Sequence, residues 1–497
     1  MRLLCVCTCL PLFAAIVESE VGLTGRQSKI SCLYASGSLD PQSPKLRLLL
    51  LGGLDGSASE IRAQVDRFES SRYRNKFTLA AIPLANPESA KLQFPPPGNA
   101  YAEHTESHYL WRWIGSYAPD LLLILGPDSA GLGNALSQHD AAGVGRIPSR
   151  TIMNLESALS DLEKTPIARS PAHDEILKRL RRSPIEIAKQ LSVPYGHELP
   201  EAVYIPAVAA LGRLRLGELA DVERIVAPYV SGQKNSLAKP SGSHQSGHLL
   251  FAELARKTSN KRYVELVQAA ADMGFDEKGQ MRESMPLHNE MSDSFFMGCP
   301  ILAEAGRLTG QTKYYDMALR HMRFMLKLDL RPDGLYRHSP LDEAAWGRGN
   351  GFGALGVALT LTALPKSHSG FPEMLDAFRK HIEALARHQE PTGMWRQVID
   401  HPGSYRELSA TCMIGVSILR GIRNGWLPKA KYQPIVDRAW NGAKSRIAAD
   451  GRLIDVCTGT GKQKSLKDYL DRQAILGNDP RGGAMSLLFS TEMAGLQ

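Results

Sequence analysis

AEAGRLTGQTKYYDMALRHMRFM, residues 303–325, carries the helix–turn–helix pattern that decides the fold. An apolar helix ends in a short polar turn, and a lysine followed by a tyrosine starts the next helix. Tyr263 and Tyr314 lie 51 residues apart, and Tyr432 follows after 118 residues, about twice that step. The same order recurs in ELARKTSNKRYVELVQAAADMG (253–274) and RGIRNGWLPKAKYQPIVDRAWNGA (420–443), with a degenerate copy in GFPEMLDAFRKHIEALARHQ (370–389).

A repeat of this length corresponds to one helical hairpin, which buries its apolar stripe against its neighbours. Residues 195–497 have room for roughly six such hairpins, enough to close a ring. The pattern therefore predicts a mainly α chain whose larger part is an (α/α)6 barrel. We expect the ends of the inner helices and their connecting loops to face a central cleft.

Residues 45–165 have a different pattern, in which KLRLLLLGG, FTLAAIPLA and PDLLLILGP are predicted strands separated by helical segments. This alternation predicts an N-terminal α/β domain with a mostly parallel sheet. The segments at 48–59 and 111–126 resemble the zinc carboxypeptidase fold. However, Asp55, Ala58 and Gly126 stand where that fold has zinc ligands, so we predict a degenerate domain without metal.

His104 and His108, four residues apart, are the only candidates for a metal pair, and we favour a solvated surface for them. We predict neither a metal nor a cofactor for the chain. Cys299 and Cys412 are predicted to be small buried residues on helices. The oligomeric state is left open by the sequence.

The first 20 residues are typical of a signal peptide, because Arg2 precedes an apolar run that is too short to span a bilayer. A secreted or periplasmic protein without a membrane span is therefore predicted. The net charge of +8 is dispersed, and its densest cluster, KRLRRS at 178–183, has no interleaved aromatic residue. This argues against nucleic-acid binding, whereas a positive surface suits an acidic carbohydrate.

Three loops set polar or aromatic residues directly before an apolar helix, at 286–306, 334–355 and 393–411. Asp293 precedes one helix, so its carboxylate either caps that helix or acts as a general acid. These alternatives predict opposite acidity, because capping keeps a carboxylate ionised whereas a general acid is protonated near the working pH. His338 is either a polar residue of the cleft or a solvated loop histidine.

Trp346, Phe352 and Trp395 are candidate stacking faces for sugar rings, with core packing as the alternative. Arg348 lies among glycines that offer its stem little to pack against, so its donors are expected to be free to bind a planar carboxylate. The glycine spacing is not a dinucleotide fingerprint, because no strand precedes it.

These motifs together resemble the unsaturated rhamnogalacturonyl hydrolases and unsaturated glucuronyl hydrolases of glycoside hydrolase families 105 and 88, which are (α/α)6 barrels. The resemblance runs from about residue 195 to the C-terminus. The matching segments are SDSFFM (292–297), GLYRH (334–338), WGRGNGF (346–352), SYRELSAT (404–411) and DYLDRQAILGNDPRGGAMSLL (468–488).

The resemblance implies that Asp293 is the general acid and base and that His338 helps to place the substrate near it. It further implies that Trp346, Arg348 and Asn350 line the sugar site, with Phe352 in place of the family's final tryptophan. The stretch SHQSGH at 243–248 resembles a family segment with a second active-site aspartate. Here Gln245, next to His244, takes that position, and an amide cannot hold a transferable proton or a charge.

Members of this family hydrate the C4–C5 double bond of the uronic acid that polysaccharide lyases leave at a non-reducing end. The predicted partner is therefore an acidic oligosaccharide. Two alternatives remain open at this point. The first is an inverting glycosidase that pairs Asp293 with another carboxylate (Asp342, Glu343 or Glu407). The second is a glycan-binding protein without activity, which the glutamine at position 245 favours.

Overall fold

The computed structural model describes residues 15–496, which divide into two compact units. The first unit contains residues up to 98 and residues 103–177, and the second contains residues 99–102 and 178 onward. Residues 1–14, most of the predicted signal peptide, lie outside the described part. Its last five residues, 16–20, belong to the first strand of the sheet.

The first unit is built around a six-stranded sheet in the order β1-β2-β4-β3-β5-β6. Strands β3 to β6 run parallel, while β1 and β2 are joined antiparallel at one side. The strands are β1 (Ile16–Leu23), β2 (Lys29–Ala35), β3 (Leu46–Leu51), β4 (Phe77–Ile82), β5 (Leu121–Leu125) and β6 (Ser149–Ile152). The helices are α1 (Ile61–Glu69), α2 (Thr105–Tyr117), α3 (Leu132–Gln138), α4 (Leu155–Lys164) and α5 (Pro171–Arg181), which ends in the second unit.

The three predicted strands of this unit are β3, β4 and β5, and their nearly continuous burial explains why the apolar runs found them. Strands β1 and β2 were missed because they lie before residue 45 and mix polar with apolar residues. Asp55 accepts hydrogen bonds from the backbone and hydroxyl of Ser57. His108 is buried and bonded to the Pro97 carbonyl at 3.0 Å, which corrects the solvated-surface prediction for this residue.

The second unit is a closed ring of helices. Its inner helices are α7 (Tyr204–Arg215), α10 (Leu249–Thr258) with the short α9 (Gly242–Gly247) before it, α12 (Ser294–Thr309), α14 (Gly347–Ala363), α16 (Leu408–Arg423) and α19 (Pro480–Met493). Each packs against the next, and α19 packs against α7 to close the ring. The outer helices are α6 (Pro184–Ser192), α8 (Leu219–Val230), α11 (Lys261–Asp272), α13 (Thr312–Asp329), α15 (Phe371–Arg387) and α17 (Lys429–Ser445), each packed on an inner helix.

The repeated tyrosines begin outer helices, as the hairpin pattern predicted. Tyr314 in the first turn of α13 donates to Asp272 of α11 at 2.7 Å, and Tyr432 in α17 donates to Glu383 of α15 at 3.0 Å. Each hydroxyl therefore links its outer helix to the preceding outer helix. The buried apolar side chains of the inner and outer helices together form one continuous core. Close helix contact is needed at Gly356, where a methyl group would overlap the backbone of Phe295.

Short strands and one further helix complete this unit. Within the described residues, no helix is long and apolar enough to cross a membrane. The N-termini of α12, α14 and α16 lie at residues 294, 347 and 408, within the three segments 286–306, 334–355 and 393–411 in which a polar loop was predicted to precede an apolar helix. The added elements are β7 (Trp395–Arg396), β8 (Arg406–Glu407), β9 (Leu453–Cys457), α18 (Leu466–Leu470) and β10 (Ala474–Gly477).

Candidate active site

Asp293 lies at the start of α12 but does not cap it, because its side chain accepts no hydrogen bond from the helix backbone. Instead, its Oδ2 atom lies 3.1 Å from Nε2 of His338. The Asp293 side chain keeps 14% of its surface exposed, so a ligand can reach the carboxyl group, whereas His338 is fully buried. The capping interpretation of Asp293 and the solvated-loop interpretation of His338 are both wrong.

Tyr469 holds the other ring nitrogen of His338, since its hydroxyl lies 2.8 Å from Nδ1. The same hydroxyl accepts a hydrogen bond from the backbone of Gln463 at 3.2 Å. Burial raises the pKa of Tyr469 to about 12, so the phenol is neutral at physiological pH. A phenol that donates to Nδ1 leaves the proton on Nε2, where it can donate to Asp293. Tyr469 belongs to the closing segment of the sequence motif, but nothing local to it marked this role.

Trp346 is brought to the same place by the loop before α14. Its ring centroid lies 4.4 Å from that of His338, and the guanidinium carbon of Arg348 lies 4.6 Å from the indole centroid. Trp346 is itself only 1% exposed, so it packs behind the Asp293–His338 pair and has no free stacking face, contrary to the sequence-based expectation. A cation above an indole is attracted to the ring face, which stabilises the arrangement.

Arg348 differs from the expectation that its donors are free. Its two terminal nitrogens donate to the carbonyls of Cys457 and Thr458 at 2.7 and 2.6 Å, and the residue is only 2% exposed. Burial opposes its charge, but nearby acidic groups, Glu407 among them, raise the pKa of the guanidinium above its usual range. Arg348 therefore links α14 to the end of β9 and to the residue that follows it. It contributes positive charge, but its guanidinium has no pair of unbonded N–H groups with which to bind a carboxylate.

Three other predicted sugar contacts are packing residues. Asn350 is fully buried, bonds both the N–H and the carbonyl of Tyr336, and so holds the GLYRH loop against α14. Phe352 packs in the core, 5.4 Å from the ring centroid of Phe296. Trp395 is fully buried and donates its indole N–H to the carbonyl of Leu385, which explains why it offers no stacking face.

His244 and Gln245 lie on the short helix α9, beside the loop that leads to Asp293. The His244 ring bonds the hydroxyl of Ser241 at 2.8 Å, and its Nε2 lies 3.8 Å from the Glu201 carboxylate. Gln245 is buried and donates to the carbonyl of Pro286 at 3.2 Å. The amide therefore braces the Asp293 loop, a role that needs a donor but no titratable group.

Of the three carboxylates considered as a second catalytic group, Glu407 and Glu343 are placed unfavourably for that role, whereas Asp342 is half-buried and accepts a hydrogen bond from the backbone of Ala344 at 2.8 Å. Glu407 is fully buried, and its oxygens accept from the backbone of Cys457 and Ala410 and from the Ser409 hydroxyl, so it is a helix cap. Glu343 is mostly exposed and paired with Arg337. Among residues 15–496, no three His, Cys, Asp or Glu side chains form a group that could hold a metal ion.

Gly349 allows the close packing of this site, and its replacement by alanine is expected to disturb the catalytic pair. An added methyl group would lie 2.5 Å from Oγ of Ser292 and 3.3 Å from the His338 ring. We expect Gly349→Ala to lower kcat/KM by about 10- to 100-fold, because small displacements of catalytic groups are costly. Steady-state kinetics on a substrate that the wild-type protein turns over provides the measurement.

The matched control for this change is Gly461→Ala, since a methyl group at Gly461 meets nothing within 4 Å. Overpacking at Gly349 should lower the free energy of unfolding by about 1–3 kcal/mol, which leaves the chain folded. Wild-type kinetics in the Gly349 variant would contradict this packing of Ser292 and His338.

The fold and the site together define a helical-ring protein with one accessible carboxyl group, held by a buried histidine beside an indole. The sequence model of Glycosyl Hydrolase Family 88 matches residues 219–497. The chain therefore belongs to glycosyl hydrolase family 88.

Curated relatives match over part of their length. The chain is 28% identical over 189 residues to the unsaturated rhamnogalacturonyl hydrolase YesR of Bacillus subtilis, which covers 36% of this chain and 52% of that protein. It is 29% identical over 188 residues to an unsaturated 3S-rhamnoglycuronyl hydrolase of Formosa agariphila, covering 32% and 48%. The matched regions thus span about half the length of these two relatives.

Solved structures support the fold of the helical unit. A family 105 glycoside hydrolase from C. acetobutylicum superposes with a TM-score of 0.54 at 20% identity, over 63% of this chain and 99% of that one. A family 88 glycosyl hydrolase from Bacteroides vulgatus gives 0.52 at 18% identity, over 65% and 99%. At this identity the likeness is one of fold.

Proposed function

We propose that this protein is a hydrolase that removes a C4–C5-unsaturated uronic acid from the non-reducing end of oligosaccharides produced by polysaccharide lyases. The observation that carries the proposal is the single accessible carboxyl group of Asp293, bonded to His338 and close to Trp346. Hydration of a vinyl ether needs one group that first gives and then takes a proton. Family membership and the names of the relatives support the same chemistry.

In the proposed reaction, protonated Asp293 transfers its proton to C4 while the electrons of the double bond form the new C–H bond. Positive charge then develops at C5 and is shared with the ring oxygen. A water molecule bonds to C5 and returns a proton to the Asp293 carboxylate, which restores the acid. The resulting hemiketal opens, the C1–glycosidic oxygen bond breaks, and an open-chain keto acid and the shortened oligosaccharide are released.

The neighbouring residues have supporting roles in this proposal. His338, held by Tyr469, keeps the Asp293 carboxyl group oriented in both of its protonation states. The buried Trp346 packs against the His338 ring and helps to hold it in place, and Arg348 adds positive charge that favours an anionic sugar. We infer no direct hydrogen bond from Arg348 to a substrate carboxylate, because its terminal nitrogens are already bonded to two carbonyls.

An inverting glycosidase is the second enzymatic candidate, but its geometry is less well supported. Such an enzyme needs two carboxyl groups about 6.5–9.5 Å apart that flank the bond being cleaved. Glu407 is a buried helix cap, and Glu343 is exposed and paired with Arg337. This leaves Asp342, which accepts a hydrogen bond from the backbone of Ala344, as the remaining partner for such an enzyme. The single-carboxyl mechanism needs none of the three.

The decisive experiment is turnover of lyase-digested pectin, ulvan and glycosaminoglycan in heavy water. Hydration removes the ultraviolet absorbance of the double bond and places one deuterium at C4 of an open-chain keto acid. A glycosidase would instead first release the cyclic unsaturated sugar and would place the oxygen of water at C1, whereas hydration places it at C5, so the same turnover in ¹⁸O-labelled water separates the two reactions. Binding of these oligosaccharides without turnover would identify a glycan-binding protein and reject the proposal.

From the sequence of residues 1–20, which is typical of a signal peptide, we also propose that the protein acts outside the cytoplasm. N-terminal sequencing of the exported protein tests this location, and a start at Met1 in a purely cytoplasmic protein would contradict it.

A further inference from the structure

A second carboxyl group, that of Asp329, lies close to the site and has no part in the mechanism above. Asp329 is the last residue of α13, and its backbone carbonyl accepts a hydrogen bond from the N–H of Arg337 at 3.0 Å. The isolated bridge between Leu330 and Tyr336 closes the same turn. The turn therefore joins Asp329 to the segment that carries His338, the partner of Asp293.

The Asp329 side chain is fully buried, and neither of its oxygens has a hydrogen-bond partner. A carboxylate ion in such a place would lack the donors that normally compensate for lost water. Burial raises the pKa of Asp329 to about 8; Arg337 acts in the opposite direction, while Asp293 and Glu290 raise it further. The remaining ionisable neighbour, Tyr336, is itself a neutral buried phenol.

We propose that Asp329 is a buried carboxylic acid that stays uncharged while the protein works, and that its ionisation sets the alkaline limit of activity. While Asp329 is neutral, it adds no negative charge beside the segment that carries His338. An ionised Asp329 places a buried negative charge there, which repels the anionic uronate and lowers kcat/KM.

This inference rests on the proposed hydrolase function and explains why one buried acid beside the site is left without donors. Hydrogen-bond donors to Asp329 would stabilise its carboxylate form and lower its pKa, so that the group would be charged at neutral pH. Arg337 does not act as such a donor, because its guanidinium donates instead to the carbonyl of Leu328 and the carboxylate of Glu343. The alkaline limit thus depends on Asp329 and is tuned by Arg337.

The test compares pH profiles of kcat/KM for the wild type and Asp329→Asn on an unsaturated disaccharide. The wild type should lose activity as the pH rises through about 8. The asparagine variant should keep its activity there, with the alkaline limb displaced upward by at least about one pH unit. Asp333→Asn is the matched control, because Asp333 lies on the same turn but is exposed and paired with Arg331.

A profile of unchanged shape in Asp329→Asn, even at a lower rate, would show a merely structural residue and overturn the proposal. If that variant does not fold, Arg337→Gln serves instead. Removing the cation raises the pKa of Asp329, so the alkaline limb should move to higher pH. An unmoved limb in this variant also overturns the proposal.

A substrate-free measurement separates this proposal from the proposed function. The folded-state pKa of Asp329 is raised, so its favourable contribution to folding is present at low pH and is lost between about pH 4 and 8. Urea unfolding should therefore show the wild type losing stability relative to Asp329→Asn across this range. If this trend appears but no unsaturated oligosaccharide is turned over, the hydrolase function and the catalytic role fail together, while the neutral acid is retained. A stability difference that does not vary with pH overturns the neutral acid itself.

Discussion

Asp293→Asn is expected to abolish the loss of ultraviolet absorbance from unsaturated oligosaccharides, with a fall in kcat of about a thousandfold or more. The amide has nearly the same shape as the carboxyl group but has no proton to give to C4 and cannot accept one from water. General acid–base groups commonly contribute factors of about 10² to 10⁴, and here one group performs both steps. Steady-state kinetics at the optimum pH provides the measurement.

The fold should survive this change, because Asp293 makes no capping bond to α12 and keeps 14% of its side chain exposed. Binding of the substrate should also persist, so calorimetric titration of the inactive variant should give an affinity near the wild-type KM. Glu290→Gln is the matched control: its carboxylate lies three residues away on the same loop and pairs with Lys462 at the surface. Full activity in Asp293→Asn would reject Asp293 as the proton donor and, with it, the proposed mechanism.

The sequence located this site because local patterns marked the starts of the inner helices. Asp293 and Trp346 lie directly before α12 and α14, where the hairpin repeat places polar residues at one end of the ring, and His338 lies in the loop that leads to α14. Their proximity follows from a regular architecture, since equivalent positions in successive hairpins meet at the same end. The place of Asp293 was therefore predictable from the hairpin pattern, whereas the pairing with His338 was expected only from the resemblance to the family.

The motif did not reveal which of its own residues face a ligand. Arg348, Asn350 and Phe352 belong to the same short segment as Trp346, yet each has a partner in a different element, and those of Arg348 and Phe352 are distant in sequence. The carbonyls of Cys457 and Thr458 that bond Arg348 are more than a hundred residues away and carry no side-chain signature. A backbone acceptor is present at every residue, so sequence alone cannot show where it is used.

Asp329 was missed for a related reason. Its burial depends on how α13 ends beneath the turn that leads to His338, and an aspartate at a helix end is ordinarily exposed. In contrast, the buried character of Cys299 and Cys412 was predicted correctly, because both lie in long apolar runs of inner helices. Apolar periodicity thus predicts the core well, whereas the exceptional buried acid is visible only in the packed structure.

Glu492→Gln is expected to cause the largest loss of stability, about 3–5 kcal/mol in the free energy of unfolding. Glu492 lies on α19, the helix that closes the ring, and is fully buried. It accepts from Arg215 of α7 at 3.1 Å and from Arg420 and Arg423 of α16. One carboxylate therefore joins the first and last inner helices to a third, and its loss leaves buried guanidinium groups without this counter-charge.

Urea unfolding at neutral pH measures this effect, with Glu383→Gln as the matched control. Glu383 pairs with Lys431 at the surface, about half exposed, so its replacement should change the stability by no more than about 1 kcal/mol. Burial by itself would raise the pKa of Glu492, but Arg420 and Arg215 bring it below the ordinary value. Its contribution is accordingly complete above the ordinary glutamate pKa and is lost as the pH falls through the lowered value.

The wild type and Glu492→Gln should converge in stability under acid conditions, since protonation of Glu492 in the wild type reproduces the neutral side chain of Glu492→Gln. A ring held mainly by its apolar core would behave differently: Glu492→Gln would then unfold at nearly the same urea concentration as Glu383→Gln at every pH. That result would mean that the arginine cluster merely fills space between α7, α16 and α19. The predicted difference in stability instead means that the contact between α7 and α19, which closes the ring, depends on the ionised side chain of Glu492. Its replacement weakens the ring at this contact.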